Sequence, residues 1–416
     1  MKRFIILLIS LFSVSIFGQN SITLQECYDM AAVNYPLAKQ SNLLDAQNLL
    51  EREVISTTKL PQLNLDAQAT YQSDVIEVPI PNSAIEPLNK DQYRVTLSAT
   101  QILYDGGTRG ASLNAKLAQL KTNKKQVEID LYQLKQKINQ LFFSVLLSQE
   151  TTLLLTTKEA MLQSKLNEVT SGIKYGVLLP ASDKVLKAEI LKIKQQLLEV
   201  ESNKTVFIET LSSIIDEPLD KSTKFHDSFV ETNLKVEWNR PELELFQLKK
   251  EEIERREALM EKENSPKLLG FVTGGYGNPG LNMLDNSFQP FYIVGVKLNW
   301  NVFDWNSNKK QRQALTINKD IVDTETATFK RNTEIALFQQ QKEIDKLRSF
   351  ILSDLEIIKL REDVLQSADS QLKNGVITSS AYITELTNLY EDENTLVQHK
   401  IQLQLAKANY NIIQGH

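Results

Sequence analysis

The feature that most constrains this chain is an internal repeat of about half its 416 residues. Gly176 and Gly375, each followed by valine, lie 199 positions apart, and other matched pairs keep nearly the same offset. Such spacing indicates a duplicated structural unit, which we predict at residues 20–238 and 239–416. Each copy reads as helix, two strands, a very long helix, a short turn and a returning helix. The other matched pairs are Tyr104 with Phe303, Asp105 with Asp304, and Pro61 with Pro266.

The N-terminal residues predict export from the cytoplasm. Two basic residues follow Met1, and an apolar run then extends from Phe4 to Phe17. That run is shorter than the ~20 apolar residues of a membrane-spanning helix, so we interpret residues 1–19 as a cleaved signal peptide. Because Cys27 is the only cysteine, no intrachain disulfide can form. We expect Cys27 to be a buried packing residue of the first helix. A net charge of −5 argues against a nucleic-acid-binding protein.

Four segments alternate apolar and polar side chains with the two-residue period of a β-strand. We predict strands at about 61–71 and 93–104 in the first copy, and at about 266–276 and 291–303 in the second. Each is close to the ~9–11 residues that a tilted strand needs to cross a bilayer. The alternation alone also fits a half-buried sheet of a soluble protein. Aromatic residues typical of membrane interfaces gather at the strand ends: Tyr71, Tyr93, Tyr104, Tyr276, Phe291, Phe303 and Trp305.

Heptad spacing of apolar residues follows the second strand of the first copy. It predicts one coiled-coil helix over residues 108–175, which at 68 residues would be about 100 Å long. Shorter helices are predicted at 24–59 and 183–215, and their 36 and 33 residues sum to nearly the same length. We therefore expect the two short helices to lie end to end beside the long one. Hairpin turns are predicted at about 176–182 and 375–380.

The strands decide which fold is possible. A sheet in lipid must have no exposed edge, and the smallest common barrels use eight strands, so the four strands of one chain cannot close alone. Three chains would supply twelve strands. The expected fold is therefore mainly α with membrane β. Long coiled-coil helical hairpins would carry four strands per chain, and three chains would form a 12-stranded transmembrane barrel on an α-helical periplasmic tunnel.

Two other classes of protein remain open from the residues alone. A secreted or periplasmic coiled-coil structural or adhesion protein explains the heptads and the signal, but not the duplicated strands of membrane-spanning length. A periplasmic adaptor also carries a helical hairpin, but it needs only one. An enzyme finds no support, because His226, His399 and His416 lack metal-ligand spacing and the sequence contains no nucleophile-elbow or phosphate-loop motif.

Short stretches at corresponding places in the two copies match one known family. The most specific runs from Leu97 to Gly107, where the second strand meets the long helix. The others are Leu24-Gln25-Glu26-Cys27, Pro61-Gln62-Leu63, Tyr175-Gly176-Val177, Asn374-Gly375-Val376-Ile377-Thr378 and Leu389-Tyr390. In their order, duplication and spacing, these stretches resemble the TolC-like outer-membrane efflux protein family over essentially the whole mature length.

This resemblance implies an exit duct in the outer membrane that extends into the periplasm. It implies a homotrimer in outer-membrane lipid that passively conducts its substrates, as part of a tripartite efflux or type I secretion system. The implied partners are a periplasmic adaptor (membrane fusion) protein and an inner-membrane transporter of the RND or ABC type. The family carries no catalytic site, so we expect no enzymatic activity, no cofactor and no metal site.

The resemblance also implies where functional residues lie. In this family the two helical turns form the periplasmic tip, where the duct is gated and the adaptor docks, and here they contain Gly176 and Gly375. Asp183 follows the first turn as a candidate constricting carboxylate, although it stands about two residues farther along than in the family pattern. The second turn has Ser379 where an acid is expected. The other tip residues are Val177, Leu178, Val376 and Ile377, and the strand-to-helix junctions contain Asp105, Gly106, Gly107 and Asp304.

Overall fold

The computed structural model describes residues 21–76, 86–226, 230–231 and 238–416. The predicted signal at 1–19 lies outside these ranges. The chain divides into two compact units, and each takes segments from both halves of the sequence. We call them the sheet unit, Lys39–Glu128 and Pro241–Phe329, and the helical unit, Met1–Ala38, Ile129–Arg240 and Lys330–His416.

Helices make up most of the described chain. Their bounds are α1 (Leu24–Asn34), α2 (Lys39–Thr57), α3 (Thr108–Lys174), α4 (Ser182–Ile215), α5 (Pro241–Glu263), α6 (Ser307–Lys373) and α7 (Ser379–Gln414). The four long strands are β2 (Gln62–Tyr71), β3 (Asp91–Tyr104), β5 (Lys267–Asn278) and β6 (Gln289–Asn299). Two-residue strands β1 (Ser21–Ile22) and β4 (Lys224–Phe225) pair in parallel.

Two element boundaries differ from the sequence prediction. The sequence predicts a kink at Pro36 in the helix over 24–59, and the structure has a full break there, because a 3-10 turn at Pro36–Ala38 separates α1 from α2. Proline has no N–H to donate, so the α-helical ladder is interrupted there. β6 ends at Asn299, four residues before its predicted end. Asn299 pairs with Lys267, the first residue of β5, so the residues beyond it find no partner on that strand.

The four long strands form one antiparallel sheet in the order β2-β3-β5-β6. Its register places residues of like character side by side. Leu65 on β2 pairs with Leu97 on β3. Val272 on β5 pairs with Ala99 on one side and Val294 on the other. One face, here called the apolar face, therefore carries mainly Leu, Val, Ala, Gly and Tyr across all four strands. The opposite face, called the polar face, carries mainly Gln, Asn, Thr and Ser on β2 and β3, together with the charged residues Asp66 and Arg94.

The apolar face is the more exposed of the two, which is the reverse of a soluble sheet. Leu65 and Val294, on the two edge strands, are 71% and 65% exposed. Along most of β3, exposed apolar-face residues alternate with half-buried polar-face residues. The outer edges of β2 and β6 pair with no other strand of the described chain. Contiguous apolar surface of this kind marks a face that is covered by something other than water.

In the sheet unit, α2 lies antiparallel to the beginning of α3. Lys116 Nζ is 3.0 Å from Glu51 Oε2, and Lys124 Nζ is 2.8 Å from Asp45 Oδ2. Exposed pairs of this kind contribute less than about 1 kcal/mol each, so they select the alignment more than they stabilise it. A similar ladder joins α5 to the beginning of α6: Lys249 with Glu325, Lys250 with Asp323, and Lys319 with Glu254.

In the helical unit, α4 lies antiparallel to the rest of α3, and α7 to the rest of α6. The core contains residues from both halves of the sequence. Phe142 of α3 and Leu211 of α4 are almost completely buried beside Ile401 of α7. Two apolar clusters of the helical unit thus combine residues from both predicted copies.

The first helix joins this core through Cys27, which is fully buried, as the sequence predicts. Burial raises the pKa of its thiol to about 12, so the cysteine is an unreactive packing residue. A capping box between Thr23 and Glu26 begins the helix. At its other end, Asn34 Nδ2 donates a hydrogen bond of 3.0 Å to the carbonyl oxygen of Ile215, so α1 ends beside the end of α4.

Gly106 is expected to tolerate no side chain. Its φ is +66°, and a Cβ at this position would lie 2.3 Å from Cβ of Ser265. Gly106→Ala should therefore lower the free energy of unfolding by at least about 1 kcal/mol. Thermal unfolding followed by circular dichroism measures the effect. Gly110→Ala is the matched control, because Gly110 lies in α3 with open space around it and alanine there should be neutral or stabilising. Equal melting temperatures for the two variants would contradict the prediction.

Candidate functional site

The two hairpin turns have the same geometry and lie next to each other. Gly176 and Gly375 adopt φ of +76° and +69°, the left-handed conformation that ends a helix without a Cβ clash. In the first turn, the amide of Val177 donates to the carbonyl of Gly172, 2.9 Å away, and the second turn repeats this bond. A Cβ built on Gly375 would lie 3.5 Å from the carbonyl oxygen of Val177. The predicted tip residues of the two copies therefore meet.

The turns expose apolar side chains. Val177 and Val376 are exposed, whereas Leu178 and Ile377 pack against the core of the helical unit. Sequence reasoning missed two further exposed residues of the first turn, Tyr175 and Leu179. The sequence pattern that indicates this exposed surface is a large apolar residue on each side of the helix-ending glycine, Gly176. The tip thus presents an apolar surface formed by Tyr175, Val177, Leu179 and Val376.

Asp183 lies in the first turn of α4 but does not cap it. The N-cap is Ala181, which makes no side-chain hydrogen bond. Asp183 Oδ2 instead accepts a hydrogen bond of 2.8 Å from Lys187 Nζ, and this contact holds the pKa of the carboxyl below its ordinary value. In the second turn the N-cap is Thr378, whose hydroxyl accepts a bond from the amide of Ala381. The two turns therefore differ in charge.

The strand-to-helix junctions lie in the sheet unit. Asp105 accepts hydrogen bonds from the amides of Gly107 at 2.9 Å and Arg109 at 3.2 Å, and Asp304 accepts one from the amide of Asn308 at 2.9 Å. Both carboxylates thus cap the long helices. Burial of Asp105 raises its pKa, but these hydrogen bonds outweigh burial, and the pKa lies below its ordinary value.

The two junctions differ in the residues that turn the chain. Gly106 and Gly107 have positive φ in the first. The corresponding residues of the second, Trp305 and Asn306, have φ of +54° and +60°. A side chain in this conformation is strained, and Trp305 is also highly exposed. Sequence reasoning placed Trp305 among the interfacial aromatics and did not foresee this backbone conformation.

Two buried lysines of α3 lie one heptad apart near the hairpin turns, and they contact helices from both halves of the sequence. The side chain of Lys158 is 5% exposed, and its Nζ lies 3.3 Å from Glu189 Oε1 of α4 and 3.4 Å from Thr387 Oγ1 of α7. Its Nζ also stands 4.6 Å from the ring centroid of Tyr390. Burial lowers the pKa of Lys158.

Lys165 repeats this arrangement one heptad closer to the turn. Its Nζ forms an ion pair with Asp369 of α6, lies 2.6 Å from Glu168 Oε2, and stands 5.4 Å from the ring centroid of Tyr382. Burial lowers its pKa, but the carboxylates outweigh burial and hold the pKa above its ordinary value. Neither lysine was predicted from the sequence, because every partner other than Glu168 lies on a different helix.

The described residues offer no sign of metal chemistry or of a helical membrane anchor. No three His, Cys, Asp or Glu side chains among them gather into a group that could hold a metal ion. In the same part of the chain, no helix is both long enough and apolar enough to cross a membrane.

Comparison with known proteins links part of the chain to one family. The sequence profile of the outer membrane efflux proteins matches residues 41–215, which include most of α2, the β2–β3 hairpin, α3 and α4. This confirms the resemblance seen in the sequence. No curated protein sequence matches the chain.

Solved structures of similar fold cover almost the whole chain. CusC is similar with a TM-score of 0.69 at 12% identity, over 98% of this chain and 96% of CusC. VceC from Vibrio cholerae has a TM-score of 0.68 at 14% identity, over 94% and 96%. The CmeC outer membrane channel of Campylobacter jejuni has a TM-score of 0.64 at 13% identity, over 94% and 85%. The predicted mainly helical fold is therefore confirmed for the single chain.

Asp369→Asn is expected to destabilise the chain near its turns. The variant leaves buried Lys165 with Glu168 as its only carboxylate, at a cost of about 1–3 kcal/mol at neutral pH. Burial raises the pKa of Asp369, but Lys165 and Lys373 outweigh burial and hold it below its ordinary value. The Asp369 carboxylate thus contributes its full stabilisation above pH of about 4. This contribution is lost as the pH falls through the pKa of Asp369 in the folded protein, which is lower than its ordinary value.

Melting temperatures of the wild type and the variant at pH 7 and pH 3 test this expectation. Their difference should be several degrees at pH 7 and should shrink in acid. Glu343→Gln is the control, because the ion pair of Glu343 with Lys346 is exposed and should contribute little at either pH. A difference that persists unchanged at pH 3 would show that the carboxylate charge is not responsible.

Proposed function

We propose that this chain is the outer-membrane exit duct of a tripartite efflux or type I secretion system. Three copies close a 12-stranded barrel, and their long helices continue it as a tunnel through the periplasm. Substrates pass passively, because the energy is supplied by the transporter in the inner membrane. The chain catalyses no reaction and needs no cofactor.

The single observation that carries this proposal is the exposed apolar face of a sheet with two open edges. Backbone groups at an open edge have no water to bind in lipid, and each would cost several kcal/mol there. Other copies of the chain are the partners that satisfy both edges, because β2 of one copy can pair with β6 of the next. Three copies bring the sheet to twelve strands, within the range of known barrels.

The same observation argues against the soluble alternatives. A secreted structural protein or a periplasmic adaptor would leave the apolar face of the sheet in water. Similarity of fold to proteins described as outer membrane channels, CmeC among them, supports the duct further. The apolar tip formed by Tyr175, Val177, Leu179 and Val376 supports docking of a periplasmic adaptor there, because exposed apolar surface of this kind is typical of a binding site.

Arginine substitutions on the two faces of β5 test the duct. Val272 lies on the apolar face, where arginine at mid-membrane costs about 2–4 kcal/mol, so Val272→Arg should reduce the amount of trimer in the outer membrane several-fold. Thr273→Arg is the matched control, because its neighbouring position faces the lumen and should assemble normally. The measurement is native mass of protein extracted from fractionated membranes. A soluble monomer, or equal loss in both variants, would refute the duct.

Asp183 is expected to set part of the charge preference at the periplasmic tip. Removing its carboxylate by Asp183→Ala should lower the cation preference of the open pore about twofold. Lys187→Ala should have the opposite effect, because it releases the same carboxylate from its ion pair. Reversal potentials of the reconstituted trimer in a salt gradient measure both variants. Unchanged conductance and ion preference in Asp183→Ala would exclude Asp183 from the gate.

A further inference from the structure

The polar face of the sheet contains an apolar region that the proposed duct does not explain. On β2 and β3 this face carries mainly amide and hydroxyl side chains. On β5 and β6 it carries four large apolar residues, and Ile293 among them is 41% exposed. A wall that only had to hold water would need none of them. The four residues are Leu269, Phe271, Phe291 and Ile293.

The ring of Phe291 packs over a glycine on the neighbouring strand. It pairs with Gly275 on β5, and a Cβ on that glycine would lie 2.4 Å from Cζ of Phe291. The ring therefore covers the glycine and cannot do so over any larger residue. Gly275 thus gives Phe291 a fixed position on the polar face, with one side of the ring against the strand.

Arg94 stands beside this ring. It pairs with Gly277, two residues along β5 from Gly275, and lies on the same face as Phe291. Its guanidinium carbon is 5.7 Å from the centroid of the Phe291 ring, within the range of a cation–π contact. No described carboxylate lies within ion-pair distance of Arg94. Asp66 lies on the same face, two residues from Gln68 along β2, but it makes no ion pair with Arg94.

A polar hollow adjoins the same guanidinium. It has a volume of about 230 Å³ and is lined by amide side chains, including those of Gln68 and Gln92, together with Arg94. Gln68 is the direct partner of Arg94 across β2 and β3. The glutamine amides of the hollow thus stand on one side of the Arg94 guanidinium, and the Phe291 ring stands on the other.

We propose that Arg94, Phe291 and this hollow form a binding site for aromatic or amphiphilic organic anions. The anionic group would accept hydrogen bonds from the guanidinium and the glutamine amides, and the apolar part would lie on Phe291 and Ile293. A cation of the same shape would be repelled by Arg94. The position of the site inside the lumen rests on the proposed function, which would place three copies around the pore wall.

Binding of p-toluenesulfonate to the full chain in nanodiscs tests the site, with saturation-transfer NMR titrations as the readout. Arg94→Gln and Phe291→Leu should each weaken binding about tenfold, since each removes one charged or aromatic contact. Phenyltrimethylammonium, a cation of similar size, should bind the wild type at least tenfold more weakly. Unchanged affinity in either variant, or equal binding of the cation, would overturn the proposal.

Lys297 and Phe271 provide matched controls on the same face. Lys297 lies six residues from Phe291 along β6, about 20 Å away. Phe271 covers Gly295 as Phe291 covers Gly275, but no described cation contacts its ring. Lys297→Gln and Phe271→Leu should therefore leave p-toluenesulfonate binding unchanged, and equal losses in these variants would show nonspecific charge or ring effects.

Native mass of the same preparations separates this site from the duct. A trimer that does not bind p-toluenesulfonate would refute the site and leave the duct intact. Binding by a chain that remains a monomer would refute the duct and retain the site. Trimeric Arg94→Gln and Phe291→Leu proteins would show that any lost binding does not come from misfolding.

Discussion

An apolar sheet face with no layer of protein over it is the constraint on which the rest of this structure depends. In aqueous solution, a second sheet or a row of helices would have to cover that face. The described chain supplies neither, and its edge strands stay open. In the duct proposed above, lipid would cover that face and other copies of the chain would pair with those edges.

The helical unit solves a different problem, which is to keep two halves of the chain aligned over long parallel surfaces. Leucine and isoleucine seams stabilise helix pairs but distinguish poorly between neighbouring registers. Lys158 and Lys165 add that distinction, because each lysine finds its carboxylates and tyrosine in only one alignment. Buried ion pairs contribute little net stability, so their value here lies in specifying which turn of α3 faces which turn of α6 and α7.

Features governed by neighbouring residues were predictable, and features governed by distant ones were not. Alternation gave both faces of the sheet, and the glycines at 176 and 375 located the turns, because period and backbone freedom are local. Asp369 and Tyr382, two of the partners of Lys165, lie more than 200 residues away and leave no local trace. Trp305 was read as an interfacial aromatic, but its left-handed backbone was not foreseen, since glycine occupies that place in the first copy. Phe291 on the polar face also broke the alternation, and only its pairing with Gly275 explains it.

The strand order has a consequence for how the protein is made. β3 lies between β2 and β5, yet β5 begins 163 residues after the end of β3. Until β5 pairs with β3, the first hairpin has its apolar face and both of its edges uncovered. Contacts this distant in sequence form slowly. The unpaired hairpin is thus the part of the chain most exposed to aggregation during assembly, and a factor that shielded it would favour the native sheet.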